Sequence, residues 1–259
     1  MHYNPKITRE QYNSKAKEED VAEKARSLRV EMPREFIKRY IKKSDIALDA
    51  GGGTGINAIM MAKLCKKVTL LDISPKILKI AKANIRKTKL DKKIDIVEGD
   101  ITNLKQFKDG QFSFIVCVGD SISYVLEKRF QAMRELLRVA KKGAFLVIGC
   151  DSKYGFMRLY LSKGNLNEAI KMNKVHEAHC PMGPKTHVYS IDEMKNLLEK
   201  NGCKILEIAS APTMSDTFDK KIYYEKKWSK LKKLELELCK KPELLGMGHH
   251  LLFIAKKSD

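Results

Sequence analysis

Asp49-Ala50-Gly51-Gly52-Gly53-Thr54-Gly55 joins a short apolar run, Ile46-Ala47-Leu48, to a helical pattern with apolar residues at Ile56, Ile59, Met60 and Leu64. A glycine-rich turn between a strand and a helix lets backbone amides approach a ligand closely and aims a helix N-terminus at it. Several nucleotide cofactors are held in this way, so the turn alone settles a fold class and not a ligand.

Outward from the turn, short apolar runs alternate with helical patterns, which predicts a parallel α/β sheet. Val68–Leu71 reads as the second strand, and Ser74 as the N-cap of a helix with Pro75 in its first turn and a stripe at Ile77, Leu78, Ala81 and Ile85. Ile94–Val97, Phe112–Val118 and Ala144–Ile148 read as the third to fifth strands, with a helix over 127–140 before the fifth. Residues 151–188 hold five glycines or prolines and three histidines, and show no convincing strand. Ser190-Ile-Asp-Glu193 is a capping box opening a helix to Asn201, closed by Gly202. Lys204–Ala209 and His249–Ala255 complete the strands, with one helix expected around 224–240; residues 15–43 read as helix broken at Pro33. The expected organisation is a helical cap over 1–44 and an α/β domain over 45–259, with insertions at about 151–188 and 212–246.

A hydrophobic fraction of 43% supports a sizeable core in this 259-residue chain, and no apolar run approaches the roughly 20 residues that span a bilayer. With no secretory signal at Met1–Pro5, a cytoplasmic protein without membrane association is expected. The six cysteines are scattered, with no CxxC pair, and read as reduced structural thiols. The net charge of +19 is spread along the chain: residues 60–93 carry eleven Lys/Arg against two acids, and 220–241 carry nine Lys/Arg. Without interleaved aromatics or an arginine cluster it reads as a lysine-rich soluble surface, with a polyanion such as RNA as the alternative partner.

Three acids fall at successive strand ends. Asp49 beside the glycine turn would repel a pyrophosphate, and suits a cationic ligand such as a sulfonium or an ammonium; alternatively it closes the loop through its own backbone amides. Asp72, 17 residues after Gly55, is placed to accept both hydroxyls of a ribose. Asp100 is placed to accept an exocyclic amine of adenine. Together they describe a site for a phosphate-free adenosine carrying a cation. The NAD fingerprint can be threaded through Gly53-x-Gly55-x-x-Ala58, but that frame begins two residues late and leaves Asp49 and Gly51 unexplained.

Leu48–Gly55 resembles motif I of the class I S-adenosylmethionine-dependent methyltransferases, and more closely their small-molecule (type 11/25-like) branch; Gly52 stands where cysteine or serine is commoner. Leu71–Ser74 resembles the strand-two acid, Glu98–Ile101 the adenine-binding segment, Phe112–Gly119 the fourth-strand motif and Leu137–Gly143 the turn into strand five. The resemblance is strong over about 45–150. It implies a Rossmann-like, seven-stranded, mostly parallel sheet with the last strand antiparallel, helices on both faces, an N-terminal helical cap and insertions. It also implies S-adenosyl-L-methionine as cofactor, with S-adenosyl-L-homocysteine as product. The residues so implicated in cofactor binding are Asp49, Gly51, Gly53, Gly55, Asp72, Ile73, Asp100, Ile101, Val118 and Gly119, with Tyr12 from the cap.

Beyond strand four, Val118-Gly-Asp-Ser-Ile-Ser-Tyr124 lacks the Asn/Asp-Pro-Pro-Tyr/Phe box of enzymes that methylate nucleobase or glutamine amides. Asp120, Ser121 and Tyr124 are candidates to contact the methionine moiety or the acceptor. His176, His179, His187 and Tyr124 are the catalytic candidates, the histidines by their place in a segment read as a lid. His176-x-x-His179-Cys180 has no second ligand pair at zinc spacing, so no metal is expected. The reading is methyl transfer to a small molecule, with an RNA methyltransferase as the alternative. An NAD-type oxidoreductase or a non-catalytic nucleotide-binding module is the reading from another class.

Overall fold

The computed structural model describes residues 2–25, 27–179, 185–215 and 227–258. Two helices come first, α1 (Pro5–Lys24) and α2 (Leu28–Tyr40). There follow β1 (Ile46–Ala50), α3 (Ile56–Ala62), β2 (Lys67–Asp72), α4 (Pro75–Arg86), β3 (Ile94–Glu98), β4 (Phe112–Cys117), α5 (Ser121–Tyr124), α6 (Arg129–Val139) and β5 (Ala140–Asp151). After β5 come α7 (Lys153–Ser162), α8 (Leu166–Lys174), β6 (Glu177–His179), β7 (Lys185–His187), α9 (Ile191–Lys200), β8 (Cys203–Ala211), α10 (Trp228–Leu238) and β9 (His250–Lys257). β6 and β7 pair only with each other, and the other seven strands form one sheet in the order β3-β2-β1-β4-β5-β9-β8. β9 is antiparallel to both neighbours, and the remaining pairings are parallel.

The strands carry near-continuous apolar runs because both faces of the sheet are covered. On one face Leu48, Ile115, Leu146 and Phe253 pack with Leu136 of α6 and Leu198 of α9. On the other, Ala47, Phe114, Val116 and Ile254 pack with Phe36, Met61 and Ile85 of α2, α3 and α4. Phe253 sits fully buried on β9, opposite Ile148 of β5 and Ile208 of β8. Phe253→Ala should therefore cost about 3–5 kcal/mol of unfolding free energy. A denaturant midpoint unchanged from wild type would contradict this packing.

Several elements differ from the sequence reading. α1 ends at Lys24 and α2 begins at Leu28; the N-terminal helical segment is not broken at Pro33, which lies buried inside α2. Proline deletes one backbone donor there, but Met32, Phe36 and Ile37 bury the same face and hold the helix together. α1 begins earlier than expected, because Asn4 Oδ1 caps Lys6 N and Ile7 N. The 151–188 segment is two helices and a hairpin. Ser152 Oγ caps Gly155 N, and Gly155 is a packing requirement instead of a break, since a Cβ there would meet the Gly248 backbone. The helix expected at 224–240 is found at Trp228–Leu238, and 224–226 lie outside the described residues. Cys65, Cys117, Cys150, Cys203 and Cys239 are buried free thiols, and Cys180 lies outside the described residues. Among the described residues, no helix is long and apolar enough to cross a membrane.

α1 lies against α4, and at its N-terminal end Tyr3 reaches Asp100 just past β3. It is a polar helix that buries only Thr8 and Ala16. Polar contacts hold it: Ser74 Oγ and Lys76 N donate to Asn13 Oδ1 at 2.7 and 3.1 Å, Asn84 Nδ2 donates to Asp20 Oδ1 at 3.0 Å, and Arg9 pairs with Glu98 at 3.1 Å. Strand order reverses between β1 and β4, which opens a crevice at their carboxyl ends.

Candidate active site

A cavity fills that crevice, walled below by the glycine turn and strand ends and above by α1 and α2. Gly51 N and Gly52 N both donate to Leu71 O, at 2.8 and 3.0 Å, which folds the turn back over β2. Gly51 and Gly53 have φ of +72° and +54°. A Cβ on the first would collide with the Ser121 side chain, and on the second with the Glu23 carboxylate. The turn is glycine because its backbone is left-handed and its surroundings are close.

The acids read from the sequence arrive in one place. Asp72 Oδ2 accepts from Gly53 N at 3.1 Å and its Oδ1 from Ser74 N at 2.9 Å, and burial pushes its pKa up to about 6. Asp100 accepts from Thr102 N and from the Tyr3 hydroxyl, both at 2.8 Å. Burial, and then the Asp100 charge, raise the Tyr3 phenol well above its usual range. Asp49 is only 1% exposed, beneath the turn, with its carboxyl carbon 2.8 Å from where a Cβ on Gly52 would stand. Among the described residues its Oδ2 has no hydrogen-bond partner, and burial, then the Glu23 and Asp72 charges, push its pKa up to about 8. Gly51, Gly53, Asp72, Ile73, Asp100 and Ile101 line the cavity, as do Val118, Gly119, Tyr12 and Tyr124. Tyr12 and Tyr124 meet edge to face at 5.9 Å. Asp49 supports the turn from below, and Gly55 (φ +84°) is the N-cap residue of α3; neither lines the cavity.

α1 and α2 add charges that the sequence did not reveal. Thr54 donates to the Glu23 carboxylate twice, from N at 3.1 Å and from Oγ1 at 2.8 Å. Burial raises the Glu23 pKa to about 7 despite those bonds. Glu19, Arg29 and Arg34 also face the cavity, Arg34 donating to Asn57 Oδ1 at 2.9 Å. Nothing within 1–44 marks these residues, because a polar helix with many glutamates reads as solvated until its docking is known.

The three candidate histidines do not line the cavity. His176 Nδ1 and His187 Nε2 instead bracket the Glu193 carboxylate at 2.6 and 2.7 Å, while His179 is exposed in the β6–β7 hairpin, its backbone N donating to Tyr160 Oη at 3.1 Å. The capping box is therefore half formed: Ser190 Oγ accepts from Glu193 N at 3.2 Å, and the Glu193 carboxylate turns to the histidines. The histidine that does line the cavity is His250, at the start of β9, where sequence alone shows only another strand residue. Its Nδ1 lies 2.8 Å from Asp120 Oδ1 and 3.4 Å from Asp151 Oδ1. Burial disfavours the imidazolium, but Asp120 outweighs it and raises the His250 pKa to about 9. Asp120 stands in left-handed backbone (φ +70°), and its Oδ2 accepts from Arg29 at 3.2 Å.

The geometry can hold a compact cationic ligand: Glu23 and Asp72 line one end of the cavity, and the buried Asp49, whose Oδ2 has no hydrogen-bond partner among the described residues, lies beneath the turn that floors it. Asp72→Ala removes the acceptor for two loop amides and should weaken binding of S-adenosylhomocysteine by about 1–3 kcal/mol. Calorimetry giving wild-type affinity would remove Asp72 from the site.

Comparison with known proteins agrees with this reading. The methyltransferase domain family matches residues 48–148. An uncharacterized protein of Methanocaldococcus jannaschii is 27% identical over 224 residues, covering 83% of each chain. Ribosomal protein L11 methyltransferase of Thermotoga neapolitana is 27% identical over 135 residues; the match covers 51% of this chain and 47%, about half, of that relative. Among solved structures, 1,6-didemethyltoxoflavin-N1-methyltransferase of Burkholderia thailandensis, with its substrate and S-adenosylhomocysteine bound, superposes with a TM-score of 0.61 at 12% identity, over 98% of this chain and 88% of that one. Residues 48–148 thus match the methyltransferase domain family, on a fold shared with solved S-adenosylmethionine-dependent methyltransferases.

Proposed function

We propose that the protein transfers the methyl group of S-adenosylmethionine to a small-molecule acceptor held between Tyr124, Asp120 and α1. The observation that carries this reading is the closure of the cavity by α1 and the residues just before it: Tyr3, Tyr12 and Glu23 reach Asp100, Tyr124 and the glycine turn. An acceptor beneath that helix is shielded from water and is limited in size. The small acceptor named for the Burkholderia enzyme is in keeping with this.

The cofactor supplies a methyl group on a sulfonium, already activated for displacement. The protein aligns and screens. Asp72 accepts the ribose hydroxyls and Asp100 the adenine amine, with Ile73 and Ile101 beside the base. Asp49 and Glu23 balance the positive charges of the methionine end, and Arg34 faces its carboxylate. Val118 and Gly119 leave the backbone open beside the reacting carbon. Residues 1–44 act as the cap over this site.

Incubation with methyl-labelled S-adenosylmethionine and, separately, low-molecular-mass extract, tRNA with rRNA, and ribosomal protein tests the reading. Label is expected in the first fraction. Label in RNA, with binding that falls steeply with salt, would replace it with the nucleic-acid reading suggested by the +19 charge. Label in protein would favour an acceptor like that of the L11 relatives.

A further inference from the structure

Asp120 follows β4, Asp151 ends β5 and His250 begins β9. Because β9 runs antiparallel, its first residue lies with the carboxyl ends of β4 and β5, and Asp151 and His250 are direct register partners. The ligand atoms of the three side chains lie within 4.8 Å of one another, and both carboxylates are almost fully buried. Their outer oxygens are already engaged. Arg29 donates to Asp120 Oδ2 at 3.2 Å, and Thr186 Oγ1 to Asp151 Oδ2 at 2.5 Å. Asp120 Oδ1, Asp151 Oδ1 and His250 Nδ1 remain close together, with His250 Nδ1 2.8 Å from the first and 3.4 Å from the second. Carboxylates oriented through their second oxygens in this way are the arrangement that metal sites use. Asp120 and His250 also line the cavity, so an ion bound there keeps open positions facing it.

We propose that Asp120, Asp151 and His250 bind a divalent cation at the acceptor side of the cavity, and that the ion holds a methyl acceptor through its oxygen atoms. Two carboxylates and one imidazole, with room for oxygen ligands, suit Mn2+ or Zn2+. Bonds of about 2.0–2.2 Å set ligand atoms roughly 3–3.5 Å apart around an ion. The 3.4 Å from His250 Nδ1 to Asp151 Oδ1 therefore already fits, and the 2.8 Å to Asp120 Oδ1 must open slightly. The ion takes the place of the proton shared there, which is released to solvent. The other grouping of this kind, His176–His187–Glu193, is less suited. Lys153 Nζ stands 3.2 Å from His176 Nε2, and Arg129 stands 3.6 Å from Glu193, so cations already occupy its surroundings. Arg29 is different: it binds the outer oxygen of Asp120, and its side chain is half exposed.

The ion-binding half of this proposal stands apart from the small-molecule reading, and the acceptor half rests on it. Full-length protein stripped with chelator is titrated with Mn2+ alone, and free Mn2+ is counted by electron paramagnetic resonance. One equivalent should bind, and pulsed spectra of the wild-type complex should show coupling to a single imidazole nitrogen. Asp151→Asn and His250→Gln should each weaken binding at least about tenfold, and His176→Ala should leave it unchanged. No stoichiometric ion on the wild type would overturn the proposal. So would coupling to two imidazoles, or loss of the ion in His176→Ala. The wild-type spectrum decides even if a variant misfolds. Once an acceptor is known, a full methyl-transfer rate after chelation would remove the acceptor role. Mn2+ bound here in a protein that methylates only RNA would instead remove the small-molecule reading.

Discussion

Binding of S-adenosylmethionine should strengthen by about two to three orders of magnitude between pH 6 and pH 8 if Asp49, Glu23 and Asp72 all ionise in the complex. Their pKa values in the empty cavity are raised to about 8, 7 and 6, each mainly by burial. The empty site therefore holds protons on acids that a sulfonium and an ammonium would drive off. A group protonated when free and ionised when bound opposes binding below its free pKa, by about tenfold per pH unit. Affinity consequently rises with pH and levels off above about 8, where the last of the three is already ionised. S-adenosylhomocysteine, without the sulfonium charge, should show a shallower rise. The unliganded protein follows the opposite course. A carboxyl whose folded pKa lies above its unfolded value contributes a penalty that grows as pH climbs from the ordinary carboxylate range to the folded pKa. Melting of the free protein should accordingly fall across that range while the cofactor-induced increment grows. Calorimetry in two buffers of different ionisation heat would count the released protons. A flat profile, or affinity that declines with pH, would mean that these acids do not face the cationic end of the ligand.

These raised values explain an apparent contradiction in the charge. The chain carries +19, yet its cavity is ringed by Glu19, Glu23, Asp72, Asp100 and Asp120 against Arg29, Arg34 and His250. The excess lysine is therefore no guide to the ligand: surface charge acts on solubility and on long-range encounter, whereas the site is set by a few desolvated acids.

The parallel half of the molecule was readable from sequence because each of its signals is local. The turn at 49–55, the cap Ser74-Pro75 and the acids at strand ends declare themselves within a few residues, and the structure has β1, β2 and β4 close to their expected limits. What sequence could not show depends on docking. Glu23 matters only because α1 is laid on the turn, and the contact partners Asn13 and Asp20 look like any helix surface. His250 matters because an antiparallel strand inserts between β5 and β8, which no periodicity records. The three histidines of 151–188 drew attention by sitting in a segment that looked irregular. Two of them join Glu193 in fastening the β6–β7 hairpin to α9, away from the cavity.

Gly51→Ala should weaken cofactor binding by about a hundredfold, and the reason can be divided by a second substitution. Residue 51 has φ of +72°, where an L side chain costs roughly 1–2 kcal/mol. Its added Cβ would also overlap the Ser121 side chain. Together these displace the turn whose amides bond to Leu71 O, and with it the surface that meets the ligand. Ser121→Gly removes the overlap and leaves the backbone strain untouched. The double variant should accordingly recover part of the loss, with a coupling of about 0.5–3 kcal/mol, as expected for residues in direct contact. Gly55→Ala provides the contrast. Its φ of +84° carries the same strain, but a Cβ there meets Ala81 and Leu70 at 3.4 Å, away from the cavity. It should lower stability more than it lowers affinity. Melting temperature and S-adenosylhomocysteine affinity measured on the wild type and these four variants separate the two effects. Equal affinity losses in Gly51→Ala and Gly55→Ala, with no recovery in the double variant, would mean that strain in the turn acts through folding alone and that Gly51 does not set the approach of the ligand.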